Sequence, residues 1–175
     1  MKTYEIQLRK DLLRYLLSVG EADERVPECP DLEDKWTETA REYMGDGIRE
    51  FQQYPTASLG WMMYIGMAMS KFWDENWEHY SQTAGLYEQM RDRRGYDHLD
   101  EYIRQEVLLL EGEDYDRTEQ IVGECASRTW NLLRHQAVEP GTREAFETYV
   151  ASLHQLYLAG IAMQLKRMGY HMTKL

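Results

Sequence analysis

Cysteine is scarce in this sequence, and basic residues are outnumbered by acidic ones. The first observation argues against a disulfide-rich protein and the second against a protein that binds nucleic acid. The two cysteines, Cys29 and Cys125, do not form a pair with metal-site spacing, and we expect both to be free thiols in a reducing cytoplasm. Lysine plus arginine number 20 against 31 aspartates plus glutamates, which gives a net charge of −11. Because that charge repels phosphate backbones and anionic lipid surfaces, the sequence predicts neither nucleic acid nor a membrane as a partner.

Long apolar runs are missing as well. The most apolar stretch, residues 59–69, is followed at once by charged residues, and about twelve residues of helix cover only about 18 Å. A membrane span needs about 20 apolar residues to cross about 30 Å of hydrocarbon. The first residues also lack the apolar core and cleavage site of a signal peptide. We therefore expect a cytoplasmic chain with no membrane-spanning segment.

Proline is rare, and its four occurrences all fall between segments whose apolar residues recur with a period of 3.6. No segment alternates apolar and polar residues long enough to indicate a strand. The sequence therefore predicts an all-α, single-domain bundle (1–175) of six or seven helices, mostly antiparallel because their connections are short. The predicted helices are about 4–19, 31–54, 57–80, 83–94, 97–110, 116–133 and 142–168. The fourth is either separate or a continuation of the third. Asp31 and Asp116 are the predicted N-caps of the second and sixth helices, and the last helix starts at residues 141–142. The apolar stripe of the last helix begins at Phe146, and that of the second helix ends at Phe51.

The third predicted helix, about residues 57–80, is apolar on every side over residues 59–69. A short helix of this kind is typical of the centre of a bundle. We expect Gly60 and Gly66 to let neighbouring backbones approach closely. In the second predicted helix, Gly47 lies on the apolar stripe, which indicates either a close helix contact or a kink around residues 45–47.

Motifs that carry chemistry are absent. The sequence has no G-x-S-x-G, no P-loop, no G-x-G-x-x-G and no H-E-x-x-H. Cys125 lies on an apolar helix face, where thiols are inert, and Cys29 lies in an acidic loop that opposes thiolate formation. A di-iron bundle needs Glu-x-x-His on two helices, whereas this chain has only the reversed order, once, at His98 and Glu101. The sequence predicts no catalytic residue and no cofactor.

Ionisable side chains cluster at the end of the third predicted helix. They are Asp74, Glu75, Glu78 and His79. On a continuous helix these residues form two i, i+4 pairs, and three carboxylates at a helix C-terminus oppose the helix dipole. The pattern favours a solvated acidic turn. Pairing with the arginines at positions 91, 93 and 94, or a weak metal site, are the alternatives.

Four other residues are candidates for lining a pocket. Trp73 and Trp77 flank the acidic cluster and can wall a cavity. Glu106 lies in the apolar face of the fifth predicted helix, where a buried carboxylate needs a partner. His154 lies on or beside the core face of the last helix. The simpler interpretations are that Glu106 reaches water or pairs with an arginine, and that His154 is a satisfied histidine at the core boundary.

The functional prediction depends on composition more than on motifs. Thirteen tyrosines and five tryptophans are many for a chain of this length, and a surplus on the surface would indicate a partner interface. We therefore predict a non-enzymatic interaction or assembly module, with a protein partner or a second copy as the ligand. The alternative is a bundle with an internal small-molecule or metal pocket near the acidic cluster, Glu106 and His154.

Overall fold

The computed structural model describes residues 2–24 and 29–170, and this part of the chain is mostly helical, with no strand. The predicted all-α bundle is confirmed. The eight α-helices of the described residues are α1 (Lys2–Ser18), α2 (Pro30–Asp34), α3 (Trp36–Gln53), α4 (Pro55–Tyr80), α5 (Leu86–Arg94), α6 (Leu99–Tyr102), α7 (Gly112–Arg134) and α8 (Arg143–Arg167). Helix α6 is flanked by a 3-10 turn, Tyr96–His98, and a π turn, Ile103–Val107.

Helix α4 forms the centre of the bundle, as predicted. Every residue from Ser58 to Ser70 except Trp61 is buried. A Cβ on Gly66 would collide with the carbonyl oxygen of Tyr157 on α8. This glycine therefore lets the two helix backbones touch, and any side chain there would separate them.

Helix α8 is a second central helix, which the sequence did not reveal. All residues between Thr148 and Leu165 are buried except Val150 and His154. Helix α8 is surrounded because it packs against α1, α3, α4 and α7. The prediction of a one-sided stripe that begins at Phe146 is wrong, since Phe146 is 47% exposed.

The two central helices run in the same direction. Ser58 near the start of α4 is hydrogen bonded to Tyr149 near the start of α8 (Oγ–OH 2.5 Å). Asp74 near the end of α4 accepts a hydrogen bond from Tyr170, just beyond α8. The antiparallel expectation holds for α3 and α4, which are joined by one residue. The antiparallel expectation is wrong for α4 and α8, because α7 carries the chain back to the end of the bundle at which α4 begins.

Several predicted helix boundaries are wrong and one is confirmed. Asp31 is not an N-cap, because α2 begins at Pro30 after Cys29. Asp116 does not cap α7, which begins at Gly112 and contains Asp116. A turn at residues 81–85 separates α5 from α4. The predicted start of the last helix at residues 141–142 is confirmed, since α8 begins at Arg143 and the Oγ1 of its N-cap residue, Thr142, accepts a hydrogen bond from the backbone nitrogen of Ala145 at 3.1 Å.

The glycine pair in α3 produces a close contact and no kink. Helix α3 continues through residues 45–47. The carbonyl oxygen of Gly47 accepts a hydrogen bond from Ser58 Oγ at 2.7 Å. A Cβ on Gly47 would collide with the ring of Tyr43 in the preceding turn. The kink is therefore absent, and Gly47 makes room for the Tyr43 ring of its own helix while its carbonyl group contacts Ser58 of α4.

The bundle has two distinct ends. At the first, which we call the clamped end, α1 and α8 finish and α7 begins. There Arg167 binds Glu21 through two hydrogen bonds (2.8 and 3.1 Å), and Arg117 Nε binds the same carboxylate at 3.0 Å. At the second, which we call the open end, α3 and α7 finish and α4 and α8 begin.

In the described ranges, the structure contains no helix with the length and apolarity required to cross a bilayer.

Candidate functional site

A groove lies at the open end, between the last turn of α3, the last turns of α7 and the first turns of α8. Its floor is formed by the rings of Phe51, Trp130 and Tyr149. Leu133 and Ala145 contribute to its walls, and the loop between α7 and α8 closes one side. The volume of this aromatic groove is about 290 Å³, and it opens to solvent on one side.

The aromatic floor has a defined geometry. Phe51 stacks on Tyr149 with ring centroids 4.5 Å apart and planes 26° apart. The edge of the Trp130 ring meets Phe51 at 5.6 Å and 81°. Offset stacking and edge contacts are the arrangements that aromatic rings favour. Each ring therefore restrains the next, and the floor is formed before any ligand enters.

Hydrogen bonds behind the floor fix the orientation of Tyr149. Its hydroxyl is 2.5 Å from Ser58 Oγ, and Tyr43 donates a hydrogen bond to the carbonyl oxygen of Ser58. Tyr96 is in turn 3.3 Å from the Tyr43 hydroxyl. Burial raises the pKa of Tyr149 and of Tyr43 well above the usual tyrosine value. Both hydroxyls are therefore neutral, and they lock the ring without adding charge to the groove.

The loop that closes the groove, residues 135–142, is shaped by local hydrogen bonds. Gln136 Nε2 donates to the carbonyl oxygen of Leu132 at 3.1 Å, which holds the start of the loop against α7. Gly141 has φ +81°, a conformation that other residues rarely adopt. The Thr142 cap then starts α8. This short turn brings the N-terminus of α8 beside the C-terminus of α7.

Exposed aromatic residues and an arginine lie at the open end. Phe146 is 47% exposed and Tyr54 is 61% exposed. Arg134 lines the groove and is exposed. Arg134 forms no ion pair with the residues that the structure describes. The open end therefore presents apolar surface together with a free positive charge.

The acidic cluster at the end of α4 is divided by a break in the helix. Asn76 has non-helical torsion angles (φ −166°, ψ 75°), and its Oδ1 accepts a hydrogen bond from the His79 backbone nitrogen at 3.2 Å. The predicted i, i+4 neighbours therefore do not lie on a continuous helix. Asparagine is a favourable N-cap for a new helical turn. Because of the break, Asp74 and Glu75 do not share a regular helix end with Glu78 and His79.

The members of the acidic cluster have separate surroundings. Asp74 accepts the hydrogen bond from Tyr170, and Glu75 lies 3.7 Å from Lys71 Nζ. Glu78 and His79 are exposed. The two tryptophans that flank the cluster, Trp73 and Trp77, are partly buried against the core.

The proposed arginine partners of the acidic cluster bind other groups. Arg91 Nη1 lies 3.1 Å from Asp46 Oδ2, across α5 and α3. Arg94 Nη2 lies 3.5 Å from Glu106 Oε1. These two arginines therefore do not pair with the acidic cluster in the structure, as the alternative to a solvated turn would require. Arg94 is instead the ion-pair partner of Glu106, whose side chain is 53% exposed in the π turn.

His154 lies at the core boundary and is paired. Its Nε2 is 2.9 Å from Glu33 Oε2 on α2. Its ring stacks on Trp36 with centroids 4.7 Å apart and planes 22° apart. Tyr157, one turn further along α8, donates a hydrogen bond to the carbonyl oxygen of Leu32 at 2.7 Å. These contacts attach α2 to α8, as expected for a satisfied boundary histidine.

Neither thiol lies in an activating environment. Burial raises the pKa of Cys125 to about 12. Burial also raises the pKa of Cys29, and the charges of Asp31 and Glu33 add to that effect. Over residues 2–24 and 29–170, no three histidine, cysteine or acidic side chains are grouped so that they could hold a metal ion.

Comparison of the chain with protein-family models, with curated proteins and with solved structures finds no match. The groove itself was not predicted from the sequence. Its three floor residues come from three helices whose ends meet only in the folded chain, and Phe51 had been placed on an ordinary core stripe. The one local indication is the apolar Phe146 four residues after the helix cap, near the start of a helix that has not yet entered the core.

Proposed function

We propose that this chain is a non-enzymatic interaction module that takes an apolar side chain of a protein partner into the aromatic groove. The observation that carries the proposal is the open, preformed floor of Phe51, Trp130 and Tyr149. Aromatic residues and arginine are enriched at protein interfaces. The groove combines them, since Arg134 lies at its edge.

The size and chemistry of the groove favour a side chain over a small metabolite. A volume of about 290 Å³ is at the lower limit of ligand pockets, which hold roughly 300–1,000 Å³. The ionisable groups that line it are Arg134 and the neutral Tyr149. A lining of this kind provides no acid, base or nucleophile for a reaction. It does provide apolar contact and one cation that suits a carboxylate on the partner.

The proposal is tested by two-dimensional NMR with N-acetyl-phenylalanine amide as the probe. We expect saturable shifts of the Trp130 indole signal and of its neighbours. The variant Ala145→Trp fills the groove and should abolish those shifts. Ala84→Trp places the same ring on an exposed turn outside the groove and should leave them intact. Equal probe binding by the filled variant, or no binding by the wild type, would contradict the proposal.

A further inference from the structure

We infer that the outer face of α1 is a second docking surface, and that its partner is an acidic segment of another protein that also carries apolar side chains. The inference goes beyond the proposed function, because none of the described residues that line the aromatic groove belongs to α1. It is carried by two properties of α1: a charge opposite to that of the rest of the chain, and exposed apolar side chains among its cations.

Helix α1 is the basic part of an acidic protein. It contains four basic and two acidic residues, a net charge of +2, whereas the whole chain carries −11, so that the remainder carries −13. One of the two acids, Asp11, is already paired with Arg128 of α7, whose Nη1 lies 3.3 Å from the Asp11 carboxylate. A negatively charged partner is therefore attracted to α1 more than to the rest of the molecule.

The cations of α1 share one face with exposed apolar side chains. The opposite face of the helix is buried in the core through Leu8, Leu12 and Leu16. Because successive residues of an α-helix are turned by about 100°, five exposed residues fall within an arc of about 120° that contains neither acid of the helix. These residues are Lys2, Ile6, Lys10, Arg14 and Leu17. Two of them are large apolar side chains, which are 44% and 39% exposed.

Two cations of this face line a groove between α1 and α7. Lys10 and Arg14 are one helical turn apart, and Leu132 of α7 forms an apolar part of the groove, whose volume is about 320 Å³. Lys2, Lys10 and Arg14 form no ion pair with the residues that the structure describes. A carboxylate of a partner can therefore lie between Lys10 and Arg14 while an apolar neighbour contacts Leu132.

Charge also favours a short acidic segment over a membrane. Charges more than about 10 Å apart are largely screened at physiological salt, so a segment bound along α1 experiences mainly the local positive charge. An anionic lipid surface would also face the acidic remainder of the molecule. In addition, membrane-surface helices bury an apolar face in the lipid, and the main apolar face of α1 is already in the core.

Fluorescence anisotropy with a labelled peptide in which pairs of glutamates alternate with pairs of leucines tests the inference on the full chain. The double variant Lys10→Glu, Arg14→Glu should raise the dissociation constant by about tenfold or more, because two attractive contacts become repulsive. The matched control is Arg41→Glu, Arg93→Glu, which changes the net charge equally at exposed positions of α3 and α5. It should change the dissociation constant by less than about twofold.

The apolar part of the surface is tested separately. Ile6→Ser with Leu17→Ser should weaken binding of the peptide by about fivefold, since both side chains lose apolar contact with it. Leu109→Ser removes a 67% exposed side chain outside α1 and should change nothing. A peptide with glutamine in place of every glutamate should bind about tenfold more weakly to the wild type. Circular dichroism melting curves show that each variant is folded.

The outcomes separate this inference from the proposed function. Equal weakening in the two charge-reversed variants, equal binding of the glutamine peptide, or no binding by the wild type would overturn the docking surface. Binding to phosphatidylserine vesicles without binding to the peptide would overturn it in favour of a membrane. The groove variant Ala145→Trp should keep the peptide and lose the phenylalanine probe, whereas Lys10→Glu, Arg14→Glu should do the reverse.

Discussion

At one end of the bundle a single carboxylate, Glu21, holds two arginines, whereas at the other end three aromatic rings meet beneath an open groove. At the clamped end Glu21 is 8% exposed and binds both Arg117 and Arg167. At the open end apolar surface stays exposed, and Arg134 forms no ion pair with the described residues. Because α8 reaches both ends, the same helix joins the Glu21 contacts at its C-terminus and lines the groove at its N-terminus.

The two ends differ in the contacts that hold their chain segments together. Charge pairs with good geometry hold three chain segments at the clamped end. At the open end the hydrogen bonds lie behind the rings, through Ser58 and Tyr43, so the outer face stays apolar. Interface cores are depleted in charge in the same way.

Separating the two central helices should disturb both ends at once, and we expect this to be the largest effect. Gly66→Ala places a Cβ on the backbone oxygen of Tyr157 and should lower the free energy of unfolding by at least about 3 kcal/mol. Gly123→Ala, in an exposed and open position of α7, should raise it by up to about 1 kcal/mol. Urea unfolding of both variants provides the comparison. Equal effects would show that α4 and α8 do not touch at Gly66.

Opening the clamped end should be the next largest effect. Glu21→Gln leaves two arginines without their carboxylate and should cost about 2 kcal/mol, within the range for hydrogen bonds to charged groups. The exposed pair of Glu124 and Arg128 is the control, and Glu124→Gln should cost less than about 0.5 kcal/mol. Thermal melting at neutral pH measures both. A loss as small as that of the control would mean that the clamp does not stabilise the fold.

The same variant has a defined pH dependence. Burial raises the pKa of Glu21, but the hydrogen bonds and charges of Arg167 and Arg117 outweigh burial and hold the pKa below its usual value. The clamp is therefore fully stabilising above the unfolded pKa of about 4.3 and is lost as pH falls through the lower folded value. The difference in free energy of unfolding between the wild type and Glu21→Gln should become smaller as the pH falls below about 4. A difference that grew in acid would contradict this sign.

A substitution behind the groove floor should have a smaller effect. Tyr149→Phe removes the hydrogen bond to Ser58 and should cost about 1 kcal/mol. The fold should persist, and binding of the phenylalanine probe should weaken because the ring is less restrained. Denaturant melts and the NMR titration check the two parts. Unchanged probe binding would mean that stacking on Phe51 alone holds the ring.

The smallest effect should come from the acidic turn of α4. In the double variant Asp74→Asn, Glu78→Gln, the Asn side chain can still accept the hydrogen bond from Tyr170, and the break at Asn76 keeps the two positions from repelling as helix neighbours. Stability should stay within about 0.5 kcal/mol of the wild type. A much lower melting temperature, or a metal that co-purifies only with the wild type, would restore the pocket hypothesis for this cluster.

Local chemistry accounts for the parts of the fold that the sequence could predict. The Thr142 cap, the all-round apolar α4 and the close approach at Gly66 depend on nearby residues or on a helix pattern, and the structure has each of them. Asp116 was misplaced because an acidic residue in the first turns of a helix resembles its cap. Phe146 was misplaced because apolar spacing does not show where a helix extends beyond its neighbours.

The groove depends on contacts that no local pattern encodes. Phe51, Trp130 and Tyr149 are far apart in the chain, and each has the spacing of an ordinary core residue. Their rings meet only because the last turns of α3 and α7 and the first turns of α8 lie at the same end of the bundle, where no described helix covers them. The partner interface predicted from the surplus of aromatic residues stays a proposal, and the groove is where we propose to place it.

Amide hydrogen exchange with and without N-acetyl-phenylalanine amide, read by mass spectrometry, tests the central claim most directly. We predict that the probe slows exchange in the last turns of α3 and α7, in residues 135–142 and in the first turns of α8. Exchange around Glu21, Arg117 and Arg167 should stay constant. Protection that appeared at the clamped end or along α1, or exchange that did not depend on the probe anywhere, would contradict the proposal.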